Sequence, residues 1–142
     1  DTYSFGYSSS GFTDMPMNHK VFLAQFDAIK KLASEGPCVM VGRCADYALS
    51  EYKDCFSVFV HADTDWRINR LSQKHNKTAK EAKDMINKTD KSRSSYYNYY
   101  TNKKWGAASS YNLCVDSSKL GIDGAAKAII QAIEIFDSIK NK

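Results

Sequence analysis

The feature that most constrains the fold is a short apolar run that ends in a glycine. Four apolar residues, Cys38–Val41, follow Pro37 and precede Gly42. A run of this length without polar alternation is typical of a strand buried on both faces, and such strands occur in parallel sheets covered by helices. Arg43 and Asp46 come directly after it. The run therefore predicts a central strand with an arginine and an aspartate beyond its carboxyl end.

This position has two interpretations. Open α/β sheets bind ligands beyond the carboxyl ends of their strands, and a planar guanidinium group such as that of Arg43 pairs with two phosphate oxygens at once. Arg43 and Asp46 could equally form an ion pair at the start of the next helix, with no ligand involved. On position alone, both interpretations stay open.

The rest of the chain alternates helical and strand patterns. Apolar residues recur every three or four positions over Lys20–Ser34 and over Ile122–Ile139, which predicts two amphipathic helices, the second assigned to core packing. Cys55–Ala62 and Tyr111–Asp116 have the composition of further buried strands. Because helices alternate with strands, we expect right-handed crossovers and a parallel, three-layer α/β fold.

Two more helices are expected between the last two strands. Asp63 is a typical N-cap for the first helix, which carries Arg67 and Arg70 one turn apart. Thr78 and Glu81 have the spacing of a capping box at the start of the second helix.

The second of these helices is expected to continue through Asp90 and Arg93 into a tyrosine-rich segment next to several lysines. The aromatic residues are Tyr96, Tyr97, Tyr99, Tyr100 and Trp105, and the basic ones are Lys91, Arg93, Lys103 and Lys104. Aromatic and basic residues interleaved in this way could stack the bases of single-stranded nucleic acid. The preferred interpretation is a helix that buries its tyrosine rings and leaves its lysines in water, because the stretch is short and isolated.

Composition narrows the functional classes. The chain has 142 residues and a formal net charge of +4 without a basic tract, so nucleic acid is a weak candidate for a partner. The length fits one domain, residues 1–142, in which 1–19 is expected to be a loop or leader. No apolar run approaches the roughly 20 residues that cross a bilayer, and no signal peptide is evident. We therefore expect a cytoplasmic protein with no membrane partner.

The four cysteines show no metal-binding or redox spacing. No two of them form a C-x-x-C pair, and none has zinc-binding spacing with a histidine. We expect reduced, structural thiols and no metal site in the chain itself. A reactive Cys44 beside the predicted ligand site is the alternative.

An N-terminal segment has the glycine spacing of a P-loop. In Gly6–Thr13, however, Phe12 stands where a lysine must reach the β- and γ-phosphates of a nucleotide. The residues before this segment are also too few for the strand that such a loop follows. We therefore do not expect a nucleotide site there.

Five motifs follow one another along the chain. They are Gly36–Tyr47, Arg67-x-x-Arg70, Asp90-x-x-Arg93-x-x-Tyr96-Tyr97, Trp105-Gly106 and Asp116-Ser117-Ser118-x-Leu120-Gly121-Ile122. Together they resemble the cytidylate kinase-like family of P-loop nucleoside monophosphate kinases, over roughly residues 18–136. The resemblance implies a P-loop kinase fold with a helical lid over about Lys77–Ser110, and transfer of the γ-phosphoryl group of ATP, with Mg²⁺, to a nucleoside monophosphate.

The resemblance also implies roles on the acceptor side of the site. Arg43 would bind the monophosphate, Asp90 would hold a ribose hydroxyl, and Arg93 would neutralise the phosphoryl group in transfer. Asp46 would supply a carboxylate near the monophosphate. In the classical cytidylate kinases an aspartate directly follows the arginine of this turn, whereas here Cys44 does, so the accepted base stays open.

On the donor side, the resemblance places Arg67 and Arg70 near ATP. Ser118 and Lys119 would belong to the loop that lines the adenine. These assignments are chemically coherent, because phosphoryl transfer spreads charge over phosphate oxygens and requires positioned cations.

Two functions follow from the resemblance. Such kinases begin with a strand and a lysine-bearing P-loop, which this sequence does not contain, so we expect an N-terminally truncated piece that is inactive by itself. The intact parent would phosphorylate a nucleoside monophosphate, with CMP as the first candidate. The alternative is a non-catalytic nucleotide- or phosphate-binding module that has lost the P-loop. A homo-oligomer could form, because a missing first strand would expose a sheet edge.

Overall fold

The computed structural model describes residues 15–140, and side chains from residue 19 onward. The chain divides into two compact units, Asp1–Glu51 and Tyr52–Lys142. Gly6–Thr13 and most of the predicted leader lie outside the described residues. The expectation of a single domain stays a prediction.

The first unit contains a long helix and a short one. Helix α1 spans Met15–Glu35 and helix α2 spans Ala45–Ala48. The predicted helix over Lys20–Ser34 is confirmed, but the prediction of a loop or leader over 1–19 is wrong for its last five residues, which begin α1. The early start is compatible with Pro16, because proline in the first helical turn removes no intrahelical hydrogen bond.

The predicted central strand is not formed. Cys38–Val41 has no strand assignment, and Val39 and Val41 are 94% and 91% exposed, which contradicts burial on both faces. A strand requires a neighbour that supplies ladder hydrogen bonds, and among residues 15–140 the two strands that form pair with each other. Within Cys38–Val41, Met40 is partly buried and the other three residues are exposed. The segment is apolar as the sequence shows, but within residues 15–140 it has no partner strand.

The second unit is built on a parallel pair of strands. Strand β1 spans Val58–His61 and strand β2 spans Leu113–Asp116. Val58 lies opposite Leu113, and His61 lies opposite Asp116 at the carboxyl ends. The predicted strands are confirmed in shorter form, and their parallel pairing is confirmed. The architecture is therefore mixed α/β. In the described residues the sheet has two strands, whereas three were expected.

Helices α3 and α4 connect the two strands. Helix α3 spans Thr64–His75 after the N-cap Asp63, and helix α4 spans Ala79–Thr101. The predicted capping box is confirmed: Thr78 Oγ1 accepts from the Glu81 N–H at 3.2 Å, and the Glu81 carboxylate accepts from the Thr78 N–H at 2.8 Å. The two helices pack against each other. A 3₁₀ turn, Ala108–Ser110, precedes β2.

Helix α5 spans Ser117–Lys140 and is interrupted at Gly121, whose φ of 71° is left-handed. The predicted helix over Ile122–Ile139 is confirmed within α5. The assignment of the whole apolar stripe to the core is wrong, because Ile122, Ile130 and Ile133 are exposed. The strand pair is too narrow to cover the length of α5, although Phe136 packs on Phe56 with ring centroids 5.2 Å apart. None of the helices within residues 15–140 is both long and apolar enough to cross a membrane.

We expect Thr78→Ala to lower the free energy of unfolding by about 1 kcal/mol, because it removes the side-chain acceptor at the start of α4. Urea unfolding followed by circular dichroism measures this change. Thr89→Ala is the matched control, since Thr89 is exposed within the same helix and alanine is the better helix former. Equal losses in the two variants would contradict a stabilising role for the cap.

Candidate functional site

The carboxyl ends of β1 and β2 are tied to the helices that follow them. Ser118 Oγ accepts from the Asp63 N–H at 3.1 Å, and the Ser118 N–H donates to Asp116 Oδ1 at 2.9 Å. The Ser117 hydroxyl donates to the His61 carbonyl oxygen at 3.1 Å. The hydrogen bonds from Ser118 lower the pKa of Asp116 despite some desolvation. These contacts fix where α3 and α5 begin relative to the sheet.

One turn into α3, Arg67 reaches across to Asp90 on α4. Its guanidinium group binds the carboxylate with both arms, Nη1 to Oδ2 at 2.7 Å and Nη2 to Oδ1 at 2.9 Å. Arg93, three residues after Asp90 on the same helix, donates from Nη2 to Oδ1. The side chains of Arg67, Asp90 and Arg93 are 29%, 24% and 54% exposed, so the two arginines differ in their access to solvent. We call these three residues the arginine cluster.

The arginine cluster carries a net charge of +1 when its carboxylate is ionised. Partial burial would raise the pKa of Asp90, but hydrogen bonds from Arg67 and Arg93 outweigh it and lower the pKa below the ordinary value. A guanidinium group has five N–H donors. Arg67 directs two of them, and Arg93 one, to Asp90. Donors therefore remain in the cluster for an additional anion.

Arg93 also lies over an aromatic ring. Its guanidinium carbon is 5.1 Å from the centroid of Trp105, whose ring meets Phe59 of β1 edge-on at 5.2 Å. The backbone N–H of Trp105 donates a hydrogen bond to Asn98 Oδ1 at 2.7 Å. Gly106 has a φ of 78°, and a Cβ there would lie 3.3 Å from Phe59 Cζ. The Trp105-Gly106 motif thus folds the segment after α4 onto the sheet.

Sequence reasoning did not identify Trp105 as a contact of Arg93. The sequence placed Trp105 in an aromatic cluster near Arg93, but it did not predict a contact between these two residues. Twelve residues separate Arg93 from Trp105, so helical spacing could not pair them. The glycine after the tryptophan was the available signal, because it marks a sharp change of chain direction.

The other predicted residues of the second unit lie outside the arginine cluster. Arg70 lies over the ring of Trp66, with its guanidinium carbon 5.6 Å from the centroid. Ser118 is at the strand ends, and Lys119 is exposed in the first turn of α5. The structure therefore brings together Arg67, Asp90 and Arg93, to which the family resemblance gives separate roles.

Arg43 and Asp46 belong to the first unit. Arg43 is half-buried with a φ of 56°, and it lines a cavity of about 160 Å³ together with Met40, Val41 and residues of α1. Asp46 lies in the first turn of α2.

Burial, and then the charge of Asp46, raises the pKa of Cys44 to about 11. This argues against the reactive-thiol alternative, because the thiolate is the nucleophile.

The tyrosine-rich end of α4 is only partly buried. Tyr97 is buried and stacks on Tyr111 with centroids 6.0 Å apart, as expected for rings turned to the interior. Tyr99 is exposed, so the expectation is wrong for this ring. Lys103 and Lys104 are exposed, as expected.

We expect Asp90→Asn to lower the free energy of unfolding at neutral pH by about 1 kcal/mol, because two guanidinium groups then face each other without a counter-charge. The pKa of Asp90 is lowered by folding. Its stabilisation is therefore present above the unfolded pKa of about 4 and is lost as the pH falls through the folded pKa. The difference between wild type and variant should shrink as the pH falls below about 4.

Urea unfolding over a series of pH values measures this difference. Asp84→Asn is the matched control, since Asp84 is exposed on the same helix. A wild-type advantage over Asp90→Asn that stays constant down to about pH 2 would contradict the ion-paired state of Asp90.

Comparison with known proteins identifies the family. The model of the cytidylate kinase-like family matches residues 2–119. A solved structure of an uncharacterized protein from Eubacterium ventriosum ATCC 27560 is 33% identical, with a TM-score of 0.79 over 82% of this chain and 74% of that chain. No curated protein was found to match. With the family model covering the arginine cluster and the strand ends, the chain belongs to the cytidylate kinase-like family.

Proposed function

We propose that the arginine cluster binds nucleotide phosphates in a kinase that transfers the γ-phosphoryl group of ATP to a nucleoside monophosphate, with CMP as the first candidate. The observation that carries the proposal is the convergence of Arg67 and Arg93 on Asp90, which leaves the half-exposed Arg93 guanidinium with unused donors. Family membership supports a kinase-like relationship. A P-loop kinase fold, with Lys77–Ser110 as the lid over ATP, is part of the proposal.

The chemistry of phosphoryl transfer suits such a cluster. Charge in the loose transition state spreads over the phosphoryl oxygens, and the protein contributes mainly by positioning cations in fixed places. Asp90 holds both guanidinium groups before a ligand arrives, so little reorganisation is required on binding. An ionised carboxylate accepts hydrogen bonds, which also suits the proposed contact of Asp90 with a ribose hydroxyl.

Further roles in the proposal rest on the family resemblance of individual residues. Arg43, with Asp46, would bind the acceptor monophosphate. Arg70 would act on the ATP side, and Ser118 with Lys119 would line the adenine. Each assignment can be tested by the same titrations as those for the arginine cluster.

Magnesium is expected to accompany ATP. The ion neutralises charge between the phosphates when it is bound, and in kinase sites it is held largely by phosphate oxygens and water. Within the described part of the chain, no group of three or more His, Cys, Asp or Glu side chains could hold a metal ion. These residues do not form a dedicated metal site, and no step of the proposal is assigned to the ion.

We expect calorimetric titration with CMP, AMP and ATP–Mg to show binding of at least one nucleotide, and Arg93→Ala to weaken that binding about tenfold. Loss of one charge-assisted hydrogen bond to phosphate accounts for a factor of this size. Lys127→Ala is the matched control, because it removes the same charge from an exposed position on α5.

Equal weakening in Arg93→Ala and Lys127→Ala would contradict a specific phosphate contact and point to a general effect of charge. Binding of CMP without ATP would favour the alternative function, a module that binds a monophosphate. Absence of binding for CMP, AMP and ATP alike would overturn the proposed function for this chain.

A further inference from the structure

The chain contains two tryptophans, and each contacts an arginine that the sequence placed at the site. Arg70 lies over Trp66, and Arg93 lies over Trp105. The first contact is local, because the two residues are four apart on α3. The second joins α4 to the segment that follows it. Only the arginine of the second contact is also ion-paired with Asp90.

Asp90 alone restrains Arg93 weakly. An arginine side chain has many rotamers, and a partly exposed ion pair contributes little after the entropy of holding it is subtracted. Arg93 is more than half exposed. Moreover, Asp90 already accepts two hydrogen bonds from Arg67. A second contact is therefore required to keep the Arg93 guanidinium in one orientation.

Trp105 provides that contact from a rigid position. Its backbone N–H is bound by Asn98 of α4, and its ring packs edge-on against Phe59 in β1. The next residue, Gly106, donates its N–H to the Tyr111 hydroxyl at 3.3 Å. The ring is thus fixed by the helix, by the strand and by the start of the return to β2.

We infer that Trp105 is a positioning residue, whose ring restrains the Arg93 guanidinium so that its free N–H donors are presented to a phosphate group. The inference deepens the proposed function and rests on it for the identity of the ligand. The ring lies 5.1 Å from the guanidinium carbon, and the Arg93 side chain keeps 54% of its surface exposed, so N–H groups remain accessible to phosphate oxygens. Trp105 acts through Arg93 and is not assigned a contact with the nucleotide.

The contact itself can be tested without any ligand. The ring current of Trp105 should shift the Arg93 Nε–H resonance upfield in the NMR spectrum of the ligand-free protein, with the resonance assigned through Arg93→Lys. Trp105→Leu should abolish the shift, and Trp105→Phe should retain part of it. Trp66→Leu is the matched control, because it removes the other tryptophan from beneath an arginine, and it should leave the Arg93 resonance in place.

The functional consequence is tested by a double-mutant cycle on nucleotide affinity. Trp105→Leu should weaken binding of the nucleotide that wild type prefers by about threefold to tenfold, in line with the strength of a cation–π contact, and Trp105→Phe should restore most of it. In an Arg93→Ala background, Trp105→Leu should have little further effect, because the group that it positions is gone.

The outcomes separate the inference from the proposed function. An Arg93 resonance that is unchanged in Trp105→Leu overturns the inference, whether or not nucleotides bind. Additive losses in the double mutant also overturn it, because Trp105 would then act through general structure. Absence of nucleotide binding by wild type rejects the proposed function, while the resonance still decides whether Trp105 positions Arg93. If Trp105→Leu does not fold, the comparison of Trp105→Phe with Trp66→Leu decides.

Discussion

The bidentate ion pair between Arg67 and Asp90 is the interaction on which the candidate site depends. It joins α3 to α4 across a sequence separation of 23 residues, and both side chains are partly buried, at 29% and 24% exposure. Each charge is stabilised by its partner, at the modest level of about 1 kcal/mol that suits a partly exposed pair. The pair therefore requires one alignment of the two helices, and that alignment places Arg93 beside the same carboxylate. A group of charges with fixed positions suits the binding of phosphate.

The parallel strands provide the support for this arrangement. At their carboxyl ends, Ser117 and Ser118 bind His61, Asp63 and Asp116, so the starts of α3 and α5 are held by hydrogen bonds of 2.9 to 3.1 Å. In β1, the ring of Phe59 contacts the ring of Trp105, and the Trp105 ring lies close to the Arg93 guanidinium group. The sheet is thus linked to the arginine cluster by two routes, one polar through α3 and one aromatic through the segment after α4.

Local features were predictable because they depend on a few neighbouring residues. The capping box at Thr78 was recognised from a short pattern, and the helix over Lys20–Ser34 from its apolar period, and both are confirmed. The strand expected over Cys38–Val41 failed for a different reason. An apolar run forms a strand only where another strand supplies hydrogen bonds, and the structure places none beside it within the described residues. The exposed isoleucines of α5 show the same limit, since a helical stripe does not say how wide a sheet it meets.

The sequence by itself determined the family, the identities of the charged residues and the parallel α/β order, because motif spacing and hydrophobic period are properties of the linear chain. Only the tertiary structure decided which charges meet. The family resemblance placed Arg67 near ATP and Asp90 at a ribose hydroxyl, and the structure shows that the two side chains form one ion pair. Arg93 and Trp105 come together because the segment after α4 turns back onto β1. Contacts of this kind depend on helix packing and loop closure, which a short stretch of sequence does not determine.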